Sequence, residues 1–306
     1  MRRHVFAALL AVICTVAACA HQPEPEPPPL SRAQQLNAQA NRLLARGDRD
    51  GARETFDAAR LTAEALDDIP ALVGAWNGLG AVASLDGQPE EARPRHERAL
   101  RLAEPTGRAD LIVPSLTHLG TARELEGRFD DAAALFTRAL SLAKQAGDDR
   151  AQAALLNNLG LIAQHVGRPA EAQQQFNDAR ALNQRLGDRA AEASNVTNLG
   201  LLAEEHGAFA EARRWFEAAL ELDKAVERPP AIAADLSNLA RLAERMGEID
   251  AGRQYAERAY WSFRAAGDRT RAAASLARAI DLSRRQGLDA DVSRLGQELL
   301  HVKEAQ

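Results

Sequence analysis

Asn158, Asn198 and Asn238 recur every forty residues, and each carboxamide offers both a donor and an acceptor. A row of such amides can hydrogen bond the main chain of an extended peptide. Asn77, Asn157, Thr197 and Ser237 form a polar row one residue earlier, and His118 shares the register of the first row. A third row, Glu124, Gln164, Glu204 and Glu244, stands near Arg241 and Arg245. It predicts a mixed, partly acidic surface that favours basic or amphipathic partners. The bland alternative for all three rows is a solvated helix face. His165 and His206 hold neighbouring places in successive periods, but a metal needs three or four converging ligands and none is fixed beside them, so no metal site is expected. Phosphate loops, HExxH, GxSxG and the dinucleotide glycine fingerprint are all missing from the sequence. Sugar or peptidoglycan cleavage has only abundant carboxylates behind it, so neither catalysis nor a cofactor is expected.

Composition narrows the partner. Net charge is -5, and losing Arg2 and Arg3 with a leader makes the balance more acidic. An acidic chain without a basic run repels phosphate backbones, so nucleic acid is not an expected partner. Aromatic residues are only 4% of a chain that is 46% hydrophobic, so the apolar content is mainly Ala and Leu, suited to close helix packing.

The elements that must carry these rows announce themselves by repetition. Gly80, Gly120, Gly160 and Gly200 are spaced by forty, with Ala240 next in register. A second ladder runs Gly47, Gly87, Gly127, Gly167, Gly207, Gly247 and Gly287, and a third runs Ala52, Ala92, Ala132, Ala172, Ala212 and Gly252. Phe56, Phe136, Phe176 and Phe216 form a fourth, with His96 and Ala256 in the same register. Ala59, Ala99, Ala139, Ala179, Ala219 and Ala259 form a fifth. Apolar residues at helical spacing flank each turn glycine, which predicts helix, turn, helix. The glycine ends the first helix in the left-handed conformation, and Pro89 and Pro169 open the second where a missing N–H costs nothing. Asp148, Asp188 and Asp268 are placed to cap the following helices. Pro94, inside a second helix, should cost about 3 kcal/mol or kink that helix on its outer face.

Leu159-Gly160, Gly167, Ala172, Phe176 and Ala179 resemble the tetratricopeptide repeat, from about residue 31 to 302, with a period of forty rather than 34. HEAT and armadillo repeats share the longer period but lack this set of small residues. The resemblance implies an all-α solenoid of helical hairpins, a right-handed superhelix of about six and a half repeats over residues 31–306. The seventh second helix departs from the pattern at Val292, Gly296 and Leu299. It further implies that first helices line a concave groove. Recognition would then fall to Asn77, His118, Asn157, Asn158, Thr197, Asn198, Ser237, Asn238, Gln164, Glu204 and Arg241. Trp76 reads as core. Trp215, Tyr255, Tyr260 and Trp261 fall on second helices, and burial is expected of Trp215 and Trp261, with a partner surface on the outer face as the alternative.

The first nineteen residues carry Arg2 and Arg3, an apolar run from Val5 to Val16, and small residues before Cys19. This is a secretory signal, too short to span a bilayer as a permanent helix. Val16-Ala17-Ala18-Cys19 resembles the bacterial lipobox, which implies cleavage before Cys19 and acylation of it; an ordinary signal peptide cut near Ala20 is the alternative. Acyl chains would anchor the protein stably. Because Ala20 is not Asp, resemblance to enterobacterial sorting implies the outer membrane, facing the periplasm. Residues 20–30, rich in proline, form an extended tether of roughly 30 Å. Cys14 and Cys19 are the sole cysteines, so no disulfide staples the body. Together these expectations describe a lipid-anchored adaptor for cell-envelope proteins or peptides, akin to pilotins or peptidoglycan-enzyme adaptors. The alternative is a structural lipoprotein that self-associates into homo-oligomers.

Overall fold

The computed structural model describes residues 29–304. Cys19 and most of the tether lie outside the described residues. Seven hairpins follow one another, each a first and a second helix. They are α1 (Arg32–Ala45) with α2 (Arg49–Leu66), α3 (Ile69–Leu85) with α4 (Pro89–Ala103), and α5 (Ala109–Leu125) with α6 (Phe129–Ala146). Next come α7 (Asp149–His165) with α8 (Pro169–Leu186), and α9 (Arg189–Glu205) with α10 (Phe209–Ala225). The last are α11 (Pro229–Arg245) with α12 (Ile249–Ala265), and α13 (Arg269–Arg285) with α14 (Asp289–Glu304). No strand occurs among the described residues. The seventh second helix forms despite its atypical sequence, so the solenoid has seven hairpins.

The forty-residue period is two near-equal halves. Every twenty residues, from position 47 to 287, the chain turns through a left-handed residue after a helix of similar length. Glycine holds most of these positions, but Asp67 at φ 53° and Glu227 at φ 52° adopt the same conformation with a side chain. Each of these two residues is strained by about 1–2 kcal/mol. Asp48, Asp68, Asp148, Asp188 and Asp268 each accept a hydrogen bond from the N3 backbone N–H of the next helix. The capping expectation for Asp148, Asp188 and Asp268 is met.

Packing within a hairpin is a ring set on a glycine. A Cβ added at Gly120 or Gly160 would lie 2.5 Å from the ring of Phe136 or Phe176, and at Gly200 2.7 Å from Phe216. These rings are fully buried, each stabilising by about 1.5–3 kcal/mol. Glycine therefore faces the ring of its partner helix. Gly80 faces His96, which takes the place of the ring in the second hairpin. Pro94 and Pro114 are exposed and lie within α4 and α5, neither of which breaks. Each is the sixth residue of its helix, so the carbonyl that loses its partner belongs to the first turn.

First helices pack on first helices: α1 on α3, α3 on α5, α5 on α7 and α7 on α9. They make one continuous wall. Second helices pack against the first helices on either side. Trp76 is half-buried against three core clusters, as expected. Trp261 is not buried: it is 53% exposed, with the Arg264 guanidinium 5.3 Å from its ring centroid.

Candidate ligand-binding groove

Along the first-helix wall a set of side-chain bridges joins successive hairpins. Asn37 of α1 donates to the Ala71 carbonyl of α3 at 2.7 Å. The Asn77 amide of α3 donates to Ser115 Oγ of α5 at 3.0 Å. At the α7/α9 junction Asn157 Oδ1 accepts from Asn195 at 3.0 Å and from Asn198 at 2.8 Å. At the α9/α11 junction Thr197 donates to Asp235 at 3.2 Å. The register is constant: a residue of the 77, 157, 197 series reaches one 38 positions later.

Two junctions lack this bridge, and cavities open at both. Between α5 and α7 the register places Thr117 beside Leu155, which has no polar atom to offer; the Thr117 hydroxyl turns back to the Val113 carbonyl at 2.8 Å. The cavity there measures about 520 Å³, and its lining includes Val113, Pro114, His118, Ala154 and Leu155. The smaller cavity, about 330 Å³, lies between α11 and α13, where Ser237 and Ser275 meet with no hydrogen bond between them. Its other lining residues include Asn238, Arg241, Phe263, Arg271 and Arg278.

The expected amide row is not a uniform row. Asn198 is turned onto Asn157, and Asn238 accepts from Arg241 at 3.0 Å. Asn158 is half-buried and makes no side-chain hydrogen bond among the described residues. Asn77 is buried, its Oδ1 lying 3.3 Å from Nδ1 of His96, so it is a structural bridge rather than a groove contact. Ser237, His118, Asn238 and Arg241 do line cavities. His118 stacks on His96 with centroids 5.3 Å apart and planes 7° from parallel. Burial lowers the His118 pKa, and burial, then the charges of His118 and Arg95, push His96 down to about 3. Both rings are therefore neutral at pH 7.

Two carboxylates of the expected mixed row are ion-paired. Glu204 is 2% exposed and is held by both Arg241 and Arg245 at 3.0 Å. Glu244 is held by Arg278 at 3.4 Å and Arg285 at 2.6 Å. Each carboxylate thus meets two guanidiniums, and of these four arginines Arg241 and Arg278 line the α11/α13 cavity. Arg271 is neutralised by Asp268 at 2.5 Å. Gln164 is spent on Glu205 at 2.8 Å. Burial raises the pKa of Glu124. Among the described residues no three His, Cys, Asp or Glu converge on a metal position.

Sequence reasoning missed the second half of each bridge: Ser115, Asn195 and Asp235, together with Asn183 and Asp223 behind them. The signal was there. Ala75, Ser115, Leu155, Asn195, Asp235 and Ser275 share one register, and four of these six interior places are polar.

A tetratricopeptide repeat family model matches residues 71–145 and 151–225. The chain carries tetratricopeptide repeats. No curated protein matches the sequence. Among solved structures, BtubC (BKLC) from P. vanneervenii is similar over 78% of this chain and 93% of its own, at 22% identity and a TM-score of 0.60. A Rap protein complexed with Competence and Sporulation Factor is similar over 89% of this chain and 75% of its own, at 13% identity and a TM-score of 0.66. A signal transduction ATPase with a tetratricopeptide repeat sensor from Pyrococcus horikoshii has a TM-score of 0.70 at 12% identity. This chain, matched over 89% of its length, covers 43% of that protein. At these identities the likeness is one of tetratricopeptide fold.

Proposed function

We propose that the first-helix wall of these tetratricopeptide repeats captures an extended segment of a partner protein, without catalysis. The segment places an apolar side chain in the α5/α7 cavity and an acidic one in the α11/α13 cavity. The observation that carries this reading is the coincidence of cavities with missing bridges. Where the wall is bridged, its polar groups satisfy one another; where it is not, it leaves room for a ligand. The α5/α7 cavity suits an apolar group because Val113, Pro114, Ala154 and Leu155 dominate its lining. The α11/α13 cavity suits a carboxylate because Arg241, Arg271 and Arg278 line it and no acidic side chain does. A partner complexed with a Rap protein of similar fold is consistent with capture of this kind. Selection from a random peptide library on the purified chain tests the reading. Enriched sequences should pair a bulky apolar residue with an acidic one at fixed spacing, and enrichment of basic peptides would overturn it.

We further infer that Cys19 is acylated and fixes the solenoid to the cell envelope, where its partners are envelope proteins. Supporting this are the Val16-Ala17-Ala18-Cys19 motif and the apolar run before it. No described helix is long and apolar enough to cross a membrane. Mass spectrometry of the mature N-terminus should find Cys19 bearing fatty acyl groups; an unmodified N-terminus would remove the anchor.

A further inference from the structure

Behind two of the bridges lies a third residue, and comparing them exposes a difference in kind. In the α7/α9 bridge, Asn195 also accepts from the Asn183 amide of α8 at 2.7 Å. Forty residues on, the same three places hold Thr197, Asp235 and Asp223. Asp223 and Asp235 are 3% and 2% exposed. Asp223 Oδ1 accepts from Arg228 at 3.0 Å, and Asp235 Oδ1 accepts from Thr197. Asp235 Oδ2 is buried and has no N–H or O–H to accept from. Where Asn183 offers an N–H to Asn195, two carboxylates face each other with nothing between them unless one carries a proton.

We propose that the Asp223–Asp235 pair is a proton-held joint between the fifth and sixth hairpins, closed when the two carboxyls share one proton and loosened when both are ionised. In the shared state one carboxyl donates O–H to the other, which fills the vacant place of Asp235 Oδ2. The single remaining negative charge is offset by Arg228, itself anchored to the Ala190 carbonyl at 3.1 Å. In the ionised state two like charges occupy one dry position, and one partly exposed guanidinium cannot balance both. The groups that face the pair are few. α9 contributes only the uncharged Thr197, α10 contributes Asp223, the N-cap of α11 contributes Arg228, and no ionisable group of α12 acts on it. Burial first, then the charge of Asp223, pushes Asp235 up to about 7, and burial raises Asp223 as well.

The direction of the pH effect follows. A carboxyl whose folded pKa is raised retains its proton in the folded state where the unfolded chain has lost it. The joint is therefore tightest below about pH 4, loosens as pH rises toward 7, and stays loose above that. Ala234 and Ser237, on either side of Asp235 in α11, line the α11/α13 cavity, so capture there is linked to the same proton. That last step alone rests on the proposed groove.

Amide hydrogen exchange of the full-length chain at pH 5.5 and 8.5, corrected for intrinsic rates, tests the joint without any ligand. Protection in α10 and α11 should fall at least ten-fold more than protection in α8 and α9, whose joint is made of amides. Asp235→Asn, which recreates the residue at position 195, should abolish the difference, and so should Asp223→Asn, which recreates position 183. Equal pH responses of the two regions would overturn the proposal, as would a difference that survives in both variants. Binding of a library-selected peptide at the two pH values then separates the steps. Weaker binding at pH 8.5 in the wild type but not in Asp235→Asn supports the linkage to capture; exchange that responds while binding does not leaves the joint standing and removes the linkage.

Discussion

At the α7/α9 junction Asn157 and Asn195 meet and the first-helix wall closes; one hairpin earlier, in the same register, Thr117 meets Leu155 and the wall opens into about 520 Å³. The helices on either side have the same length, the same turn glycines and the same ring-on-glycine packing. What differs is a small interior set: Asn157, Asn195 and Asn183 at the closed junction, Thr117, Leu155 and Ala143 at the open one. The repeat thus builds a uniform frame, and a few residues inside that frame decide where a ligand has room. On the proposed reading, regular ladders specify stability and interruptions of a ladder specify recognition.

The sharpest way to test the uniformity of the frame is at His96, which sits where four other hairpins have phenylalanine. Its pKa is depressed to about 3 by burial, so the folded state excludes a proton that the unfolded chain binds below about 6.5. The stability this residue contributes is present above that value and is lost as pH falls toward 3. The loss amounts to up to about 4 kcal/mol. Urea unfolding of His96→Phe across pH 4 to 7 should show a flatter acid limb than the wild type, since the replacement restores the ring and removes the proton site. An unchanged acid limb would place the sensitivity elsewhere.

Converting the closed junction into the open type is the next largest change. Asn195→Leu should cost about 2–3 kcal/mol, because Asn157, Asn183 and Asn198 lose a partner or a firm place. The same urea titration reads it. A loss below about 0.5 kcal/mol would mean that the bridge does not hold the wall. Smallest is the effect at the turns. Asp67→Gly relieves a left-handed residue at φ 53°, and thermal unfolding should show a gain of about 0.5–1 kcal/mol, whereas Gly127→Asp should lose a similar amount.

Most of the frame was legible in the sequence because it rests on periodic constraints: glycine at the left-handed turns, alanine and phenylalanine where helices touch, aspartate at the N-caps. The polar residues were legible only as candidates. Asn198, Asn238 and Glu204 share a helical face with groove residues, yet each is spent on a partner about one repeat or one helical turn away: Asn157, Arg241, and the pair Arg241 and Arg245. Those partnerships depend on how adjacent hairpins slide against each other, which a period does not encode. Asn77 shows the same limit, since its burial depends on His96 replacing a ring and supplying a polar neighbour. Trp261 was expected inside and stands outside, because Tyr260 beside it takes the interior place and reaches Glu298 of α14.

Ala154 and Ser194 occupy the same exposed register, one beside the open junction and one beside the closed junction. Calorimetric affinity of a selected peptide for the wild type, Ala154→Trp and Ser194→Trp therefore weighs the groove against its own built-in control. Ala154→Trp should weaken binding at least ten-fold by filling the cavity, while Ser194→Trp leaves it unchanged. Equal affinity for all three proteins, or equal weakening by both substitutions, would contradict a ligand seated at the open junction.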